Sequence, residues 1–99
     1  MNIDKKQDGG RLAIKVEGRL DTNTSPELEA ELKLDGVSEV VFDFAGLEYI
    51  SSAGLRVLMT AHKAMMACDG KMSVRNPNNI VKGVFEITGM DCVFNIVEV

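Results

Sequence analysis

Ninety-nine residues, 45% of them apolar and 26% charged, are enough for a single soluble domain over 1–99 with one core, and too few for a two-lobed enzyme with a cleft. The net charge of −4 argues against nucleic acid or an anionic membrane as the main partner, since both reward a basic face. No apolar run approaches the ~18 residues that span a bilayer, and MNIDKKQDGG has no apolar signal core behind its lysines, so a cytoplasmic protein without membrane insertion is expected.

Residues 2–7 read as a weak opening strand, and Asp8-Gly9-Gly10 as a turn. Residues 11–18 alternate, with Leu12, Ile14 and Val16 on one face and Arg11, Ala13, Lys15 and Glu17 on the other, which predicts a half-buried strand in a hairpin with the first. After a loop over 19–25, Thr24 and Glu27 stand at capping-box spacing around Pro26 and predict a helix start. Leu28, Leu32 and Leu34 supply its apolar side, and Asp35-Gly36 ends it.

Residues 39–44, EVVFDF, read as a central strand, and 45–50 as a connection. Ser51-Ser52-Ala53-Gly54 then opens the longest helix, whose predicted apolar face carries Leu55, Leu58, Met59, His62, Met65 and Met66 before Asp69-Gly70 stops it. Residues 71–75 alternate again. Asn76-Pro77 predicts a third helix with Ile80, Val81, Val84, Phe85 and Ile87 on its buried side and Gly89 as its stop, and 92–98 form a last strand. The order β-β-α-β-α-β-α-β implies an α/β domain with a mixed, mostly parallel sheet, right-handed crossovers and helices chiefly on one face.

Metal and cofactor chemistry find little support. One histidine, His62, and two cysteines 24 residues apart, Cys68 and Cys92, assemble no zinc constellation, and both thiols are expected reduced and partly buried. No Walker A or GxGxxG pattern occurs, so neither a bound cofactor nor an enzymatic role is expected. The clearest signal lies in 39–58, where a strand and short loop deliver two serines to a helix N-terminus. Such an end carries about half a positive charge and free N–H groups, so a phosphoserine is well accommodated there. A serine that simply caps the helix fits the same spacing, which leaves both roles open for Ser51 and Ser52.

The stretch Leu47-Glu48-Tyr49-Ile50-Ser51-Ser52-Ala53-Gly54-Leu55 resembles the signature of STAS domains, in particular of bacterial anti-sigma factor antagonists. Val16-Glu17-Gly18-Arg19-Leu20-Asp21, followed by Thr24 and a helix, resembles a second segment of that family. The resemblance implies a STAS-like fold, with Ser52 as the phosphorylated serine. It departs from the usual Asp-Ser-Ser/Thr-Gly at two positions, with Ser51 in place of the acid and Ala53 in place of the second hydroxyl. It further implies a partner-binding surface formed by Asp21, Thr22, Asn23, Ser51, Ser52, Ala53, Gly54 and Leu55. The implied partners are an anti-sigma factor that is also a serine kinase, and a phosphatase that resets the switch. Single STAS proteins also resemble accessory subunits of membrane transport systems that brace an ATPase subunit, which is the alternative role.

Overall fold

The computed structural model describes residues 1–99. Strands β1 (Asn2–Asp8) and β2 (Arg11–Leu20) form the expected hairpin, with Gly9 at φ +60° in its two-residue turn. Helix α1 (Ser25–Ala30), β3 (Glu39–Asp43), β4 (Leu47–Ile50), α2 (Ser52–Ala67), β5 (Lys71–Arg75) and α3 (Asn79–Thr88) follow, then a 3-10 turn (Met90–Cys92) and β6 (Asn95–Val97). The strand order is β1-β2-β3-β5-β6, with β1 antiparallel and the rest parallel, so the mixed, mostly parallel α/β class holds.

One strand is added to the expected order. Residues 47–50 are not a connection but β4, and the reason lies in the length of β2. Its first half pairs with β3 over Arg11–Lys15, and its last residues, Gly18–Leu20, outrun β3 and need a partner. The chain leaves β3, turns at Ala45-Gly46 with Ala45 N–H donating to the Asp43 carboxylate at 3.1 Å, and returns to the same edge of β2. Gly46 lets the chain pass close to Glu17, whose side chain would have to shift for a Cβ standing 2.8 Å from its Cγ.

The helices pack on one face of the sheet. Leu12, Ile14 and Val16 of β2, Val40 and Phe42 of β3, and Val74 of β5 point into a core closed by Leu28 of α1, Leu58, Ala61 and Met65 of α2, and Phe85 of α3. Phe85 and Phe94 meet edge-to-face at 5.6 Å, which locks α3 to the chain that follows it. Each fully buried Leu, Ile or Phe contributes about 1.5–3 kcal/mol through removal from water.

Several local expectations are corrected. The Thr24–Glu27 capping box does not form, because the Thr24 hydroxyl turns back to the preceding loop, and α1 ends at Ala30, well before Asp35-Gly36. Helix α3 is capped by Asn78 rather than Asn76, which instead adopts φ +54° ahead of Pro77. Gly89 does end that helix in the left-handed conformation. Ile80, Ile87 and Met66 are exposed rather than buried, because α3 rests on β4 and the 3-10 turn by a narrow stripe of Val81 and Phe85, and Met66 faces away from the sheet. Cys68 and Cys92 are free thiols, as expected, but both are exposed.

Candidate functional site

Two loops converge at the ends of β2 and β4. Ser51 N–H donates to the Leu20 carbonyl at 2.9 Å, so the residue that starts α2 is tied to the last residue of β2. Across this junction Arg19 stacks on the Tyr49 ring at 4.6 Å, a cation–π contact worth about 0.5–1 kcal/mol at an exposed site.

The start of α2 assigns different work to its two serines. Ser51 is the N-cap, with extended backbone and a hydroxyl that accepts from Gly54 N–H at 3.4 Å. Ser52 is the first helical residue. It is exposed, and its hydroxyl is not used in capping. Close approach forces the glycine two residues on. A Cβ at Gly54 would meet Ile50 Cγ1 and Leu20 Cγ at 2.8 Å each, so the first turn of α2 lies directly on the ends of β4 and β2. The first turn contains no acidic residue, which leaves the positive end of the helix dipole unopposed beside Ser52.

The facing loop is organised by Asp21. Its Oδ1 accepts from Asn23 N–H at 3.0 Å and Thr24 N–H at 3.1 Å, while Asp21 N–H donates to Thr24 Oγ1 at 2.8 Å. Thr24 Oγ1 donates to the Arg19 carbonyl at 2.7 Å, and Ser25 Oγ donates to the Asp21 carbonyl at 2.5 Å. The Thr24 N–H bond, helped by those from Asn23 N–H and the Thr24 hydroxyl and by nearby Arg19, holds the Asp21 carboxyl below its ordinary value, against a smaller opposing pull from burial. Asp21 is thus the brace of this loop.

The predicted site residues come together unequally. Thr22 and Asn23 are exposed, and Thr22 and Ala53 line one groove of about 240 Å³ between α1 and α2, walled by Pro26, Glu29, Arg56 and Thr60. Gly54 and Leu55 are buried, so they shape this surface without forming it. His62 stands apart, ten residues and about 15 Å along α2 from Ser52, where it packs edge-on against Phe94 at 6.1 Å. No group of three or more His, Cys, Asp or Glu side chains is placed to hold a metal ion. No helix is long and apolar enough to cross a membrane.

Sequence reasoning did not single out Arg56, Arg19 or Tyr49. Arg56 had a signal, since it lies four residues after Ser52 and so on the same side of the helix. The Arg19–Tyr49 stack became visible only once β4 was known to pair with β2.

The STAS domain model matches residues 2–99. BtrV of Bordetella bronchiseptica is 34% identical over 90 residues, covering 88% of this chain and 78% of that protein. The anti-sigma-B factor antagonist of Staphylococcus aureus is 28% identical over 101 residues, covering 99% of this chain and 94% of the relative. The solved structure of the anti-sigma factor antagonist SpoIIAA in its unphosphorylated form matches with a TM-score of 0.88 at 17% identity, over 99% of this chain and 88% of that one. Its phosphorylated form matches at 0.80 and 16%, over 99% and 91%. At such identities the structural likeness speaks for the fold.

Proposed function

The chain belongs to the STAS domain family, and within it we propose that this protein is an anti-sigma factor antagonist switched by phosphorylation of Ser52. The observation that carries the reading is the division between the two serines: Ser51 caps α2, and Ser52 stands exposed beside it with its hydroxyl free of that task. A modification of Ser52 therefore leaves the cap intact. The reading is supported by the names of the relatives and by the existence of SpoIIAA in phosphorylated and unphosphorylated forms.

In this reading the exposed residues Thr22, Asn23 and Ser52, with the half-buried Ala53 beside Ser52, dock on a cytoplasmic anti-sigma factor that is also a serine kinase, and the sigma factor is released. The kinase passes the γ-phosphoryl group of ATP to Ser52 Oγ, ADP leaves with the bridging oxygen, and the hydroxyl proton goes to a base of the kinase. This chain is the substrate and the binding module, not the enzyme. The phosphate brings about −1.5 to −2 charges to the positive end of α2, where the fold tolerates them. The docked state is lost, because that charge would have to be desolvated in the interface without a partner. A phosphatase restores the hydroxyl. Ser51, in the place where the family usually has Asp, gives a neutral cap, so the new phosphate meets no carboxylate in its own turn.

The test is incubation with the kinase-type ATPase encoded nearest this gene and ATP, followed by intact mass and peptide mapping. One phosphate on Ser52, absent from Ser52→Ala, is expected. Phosphate on another residue, or none while the kinase modifies a control substrate, would sink the switch.

A further inference from the structure

The helices cover one face of the sheet, and the other is open. Strand register settles which side chains share that open face, because paired residues point to the same side. Asp4 pairs with Lys15, Lys15 with Asp43, and Asp43 with Arg75. Four residues along each strand, Asp8 pairs with Arg11, Arg11 with Glu39, and Glu39 with Lys71. Both rows cross β1, β2, β3 and β5 with the signs −, +, −, +. Between them runs a row of Lys6, Ala13, Val41 and Ser73, uncharged except at its β1 end, and a concavity of about 500 Å³ opens over Ala13 and Val41.

The charge of the molecule is divided accordingly. With Lys6 and Glu17, which share the open face, five acidic and five basic groups lie there. Taken from the 15 acidic and 11 basic residues of the chain, these leave ten acids and six bases, so the whole net charge of −4 belongs to the rest of the protein.

The geometry points to a second copy of this chain as the occupant of the open face. A two-fold axis lying in the face, parallel to the strands and between β2 and β3, sets each row against its own reverse. Asp4 then faces Arg75 of the second copy and Lys15 faces its Asp43, while Asp8 faces Lys71 and Arg11 faces Glu39. Every pair within these two rows is opposite in sign across the axis, and Lys6 of the row between them faces the uncharged Ser73. Stacked sheets cross at about −30°. For outer strands about 7 Å from the axis this shifts partners by about 4 Å, less than the roughly 6.6 Å to the row between and the roughly 13 Å to the other charged row, so the pairing survives the twist. Two molecules of net charge −4 repel through their other surfaces, whereas this face is neutral. Four strands over about 17 Å of length offer roughly 300 Å² per copy, against about 800 Å² for a standard interface, so the dimer is weak and salt-sensitive, with Kd on the order of 10⁻⁴ M.

The experiment is sedimentation of the intact chain in low salt from about 10 µM to about 1 mM, a range that brackets that Kd. A concentration-dependent dimer that dissociates on adding salt is expected. Lys15→Glu and Asp43→Lys each weaken it at least about tenfold, by setting like charges against each other at two symmetric places. Mixing the two variants restores dimerisation, because every cross-copy pair is again opposite while the mismatches within each chain remain. Arg11→Glu and Glu39→Arg repeat the test on the other row, and circular dichroism melts confirm that the variants fold. A monomer throughout, a dimer indifferent to both swaps, or mixed variants that stay apart would each overturn the proposal.

Discussion

Helices α2 and α3 begin with the same local device and put it to opposite uses. In each, a polar residue in extended conformation accepts from the N–H three residues on: Ser51 from Gly54 at 3.4 Å, and Asn78 from Val81 at 2.8 Å. Asn78 has a second end. Its amide donates to the carbonyls of Leu47 at 3.1 Å and Glu48 at 3.3 Å, which bolts the start of α3 to β4. The Ser51 backbone is tied to the Leu20 carbonyl, but its side chain has no such second anchor, its cap bond is long, and the exposed Ser52 follows it. A hydroxyl next to a lightly held cap is available to another protein, and an amide held on both sides is not.

The largest effect comes from breaking the seat of α2. Gly54→Val places branched carbon where Ile50 and Leu20 already stand within 2.8 Å of a bare Cβ, in a region with no room to yield. A loss of about 3 kcal/mol is expected from overpacking, or a fall in Tm of roughly 12–24 °C. A thermal melt within a few degrees of the parent would show that the junction is looser than it looks.

Asn78→Ala breaks the other start. It removes a cap and two donors to β4, and about 2 kcal/mol of stability goes with them. The comparison is sharpened by what should not change: phosphorylation of Ser52 at a temperature where the variant is folded. If Asn78→Ala slows phosphorylation there, the two helix starts are coupled and the contrast between them fails.

These helix starts also mark what the sequence could express. Alternation over 11–18, the Asp8-Gly9-Gly10 turn, the length of α2 and the Gly89 stop are properties of short windows, and each was legible. β4 was not, because four residues carry too little pattern and their pairing depends on how far β2 outruns β3. The Thr24 cap misled because its hydroxyl has a stronger local competitor in the Arg19 carbonyl. Ile80 and Ile87 fit a helical stripe, yet only contact with the rest of the fold could say how much of that stripe is covered. At the site, the place of Ser51 and Ser52 at a helix N-terminus could be read directly, but the strand β4 that runs into them could not, and which serine caps was a matter of backbone geometry.

Asp21 also accepts from the N–H three residues on, within a loop and not at a helix start, and pH tests it. Its folded pKa is lowered, so its contribution to stability is present above the ordinary carboxylate value of 3.8 and is lost as pH falls through the folded value. Asp21→Asn is expected to lower Tm at neutral pH by less than Asn78→Ala does. The gap between variant and parent should close as pH drops below 3.8. A gap that stays constant into strong acid would mean that shape, not charge, holds the loop.

The smallest expected change in stability is the most informative about Ser51 and Ser52. Ser51→Ala removes a long capping bond and should cost about 0.5–1 kcal/mol. Ser52→Ala removes an exposed hydroxyl that takes no part in the cap and places a better helix former in the first turn, so a change within about 0.5 kcal/mol is expected. Phosphorylation should respond in the reverse order, abolished by Ser52→Ala and retained by Ser51→Ala. If Ser52→Ala destabilised the fold by more than Ser51→Ala, the cap would belong to Ser52, and a phosphate there would disturb the helix it was meant to leave intact. Side-by-side melts and mass spectra of these two variants therefore test the claim on which the switch depends: that holding the helix and receiving the phosphate fall to different serines.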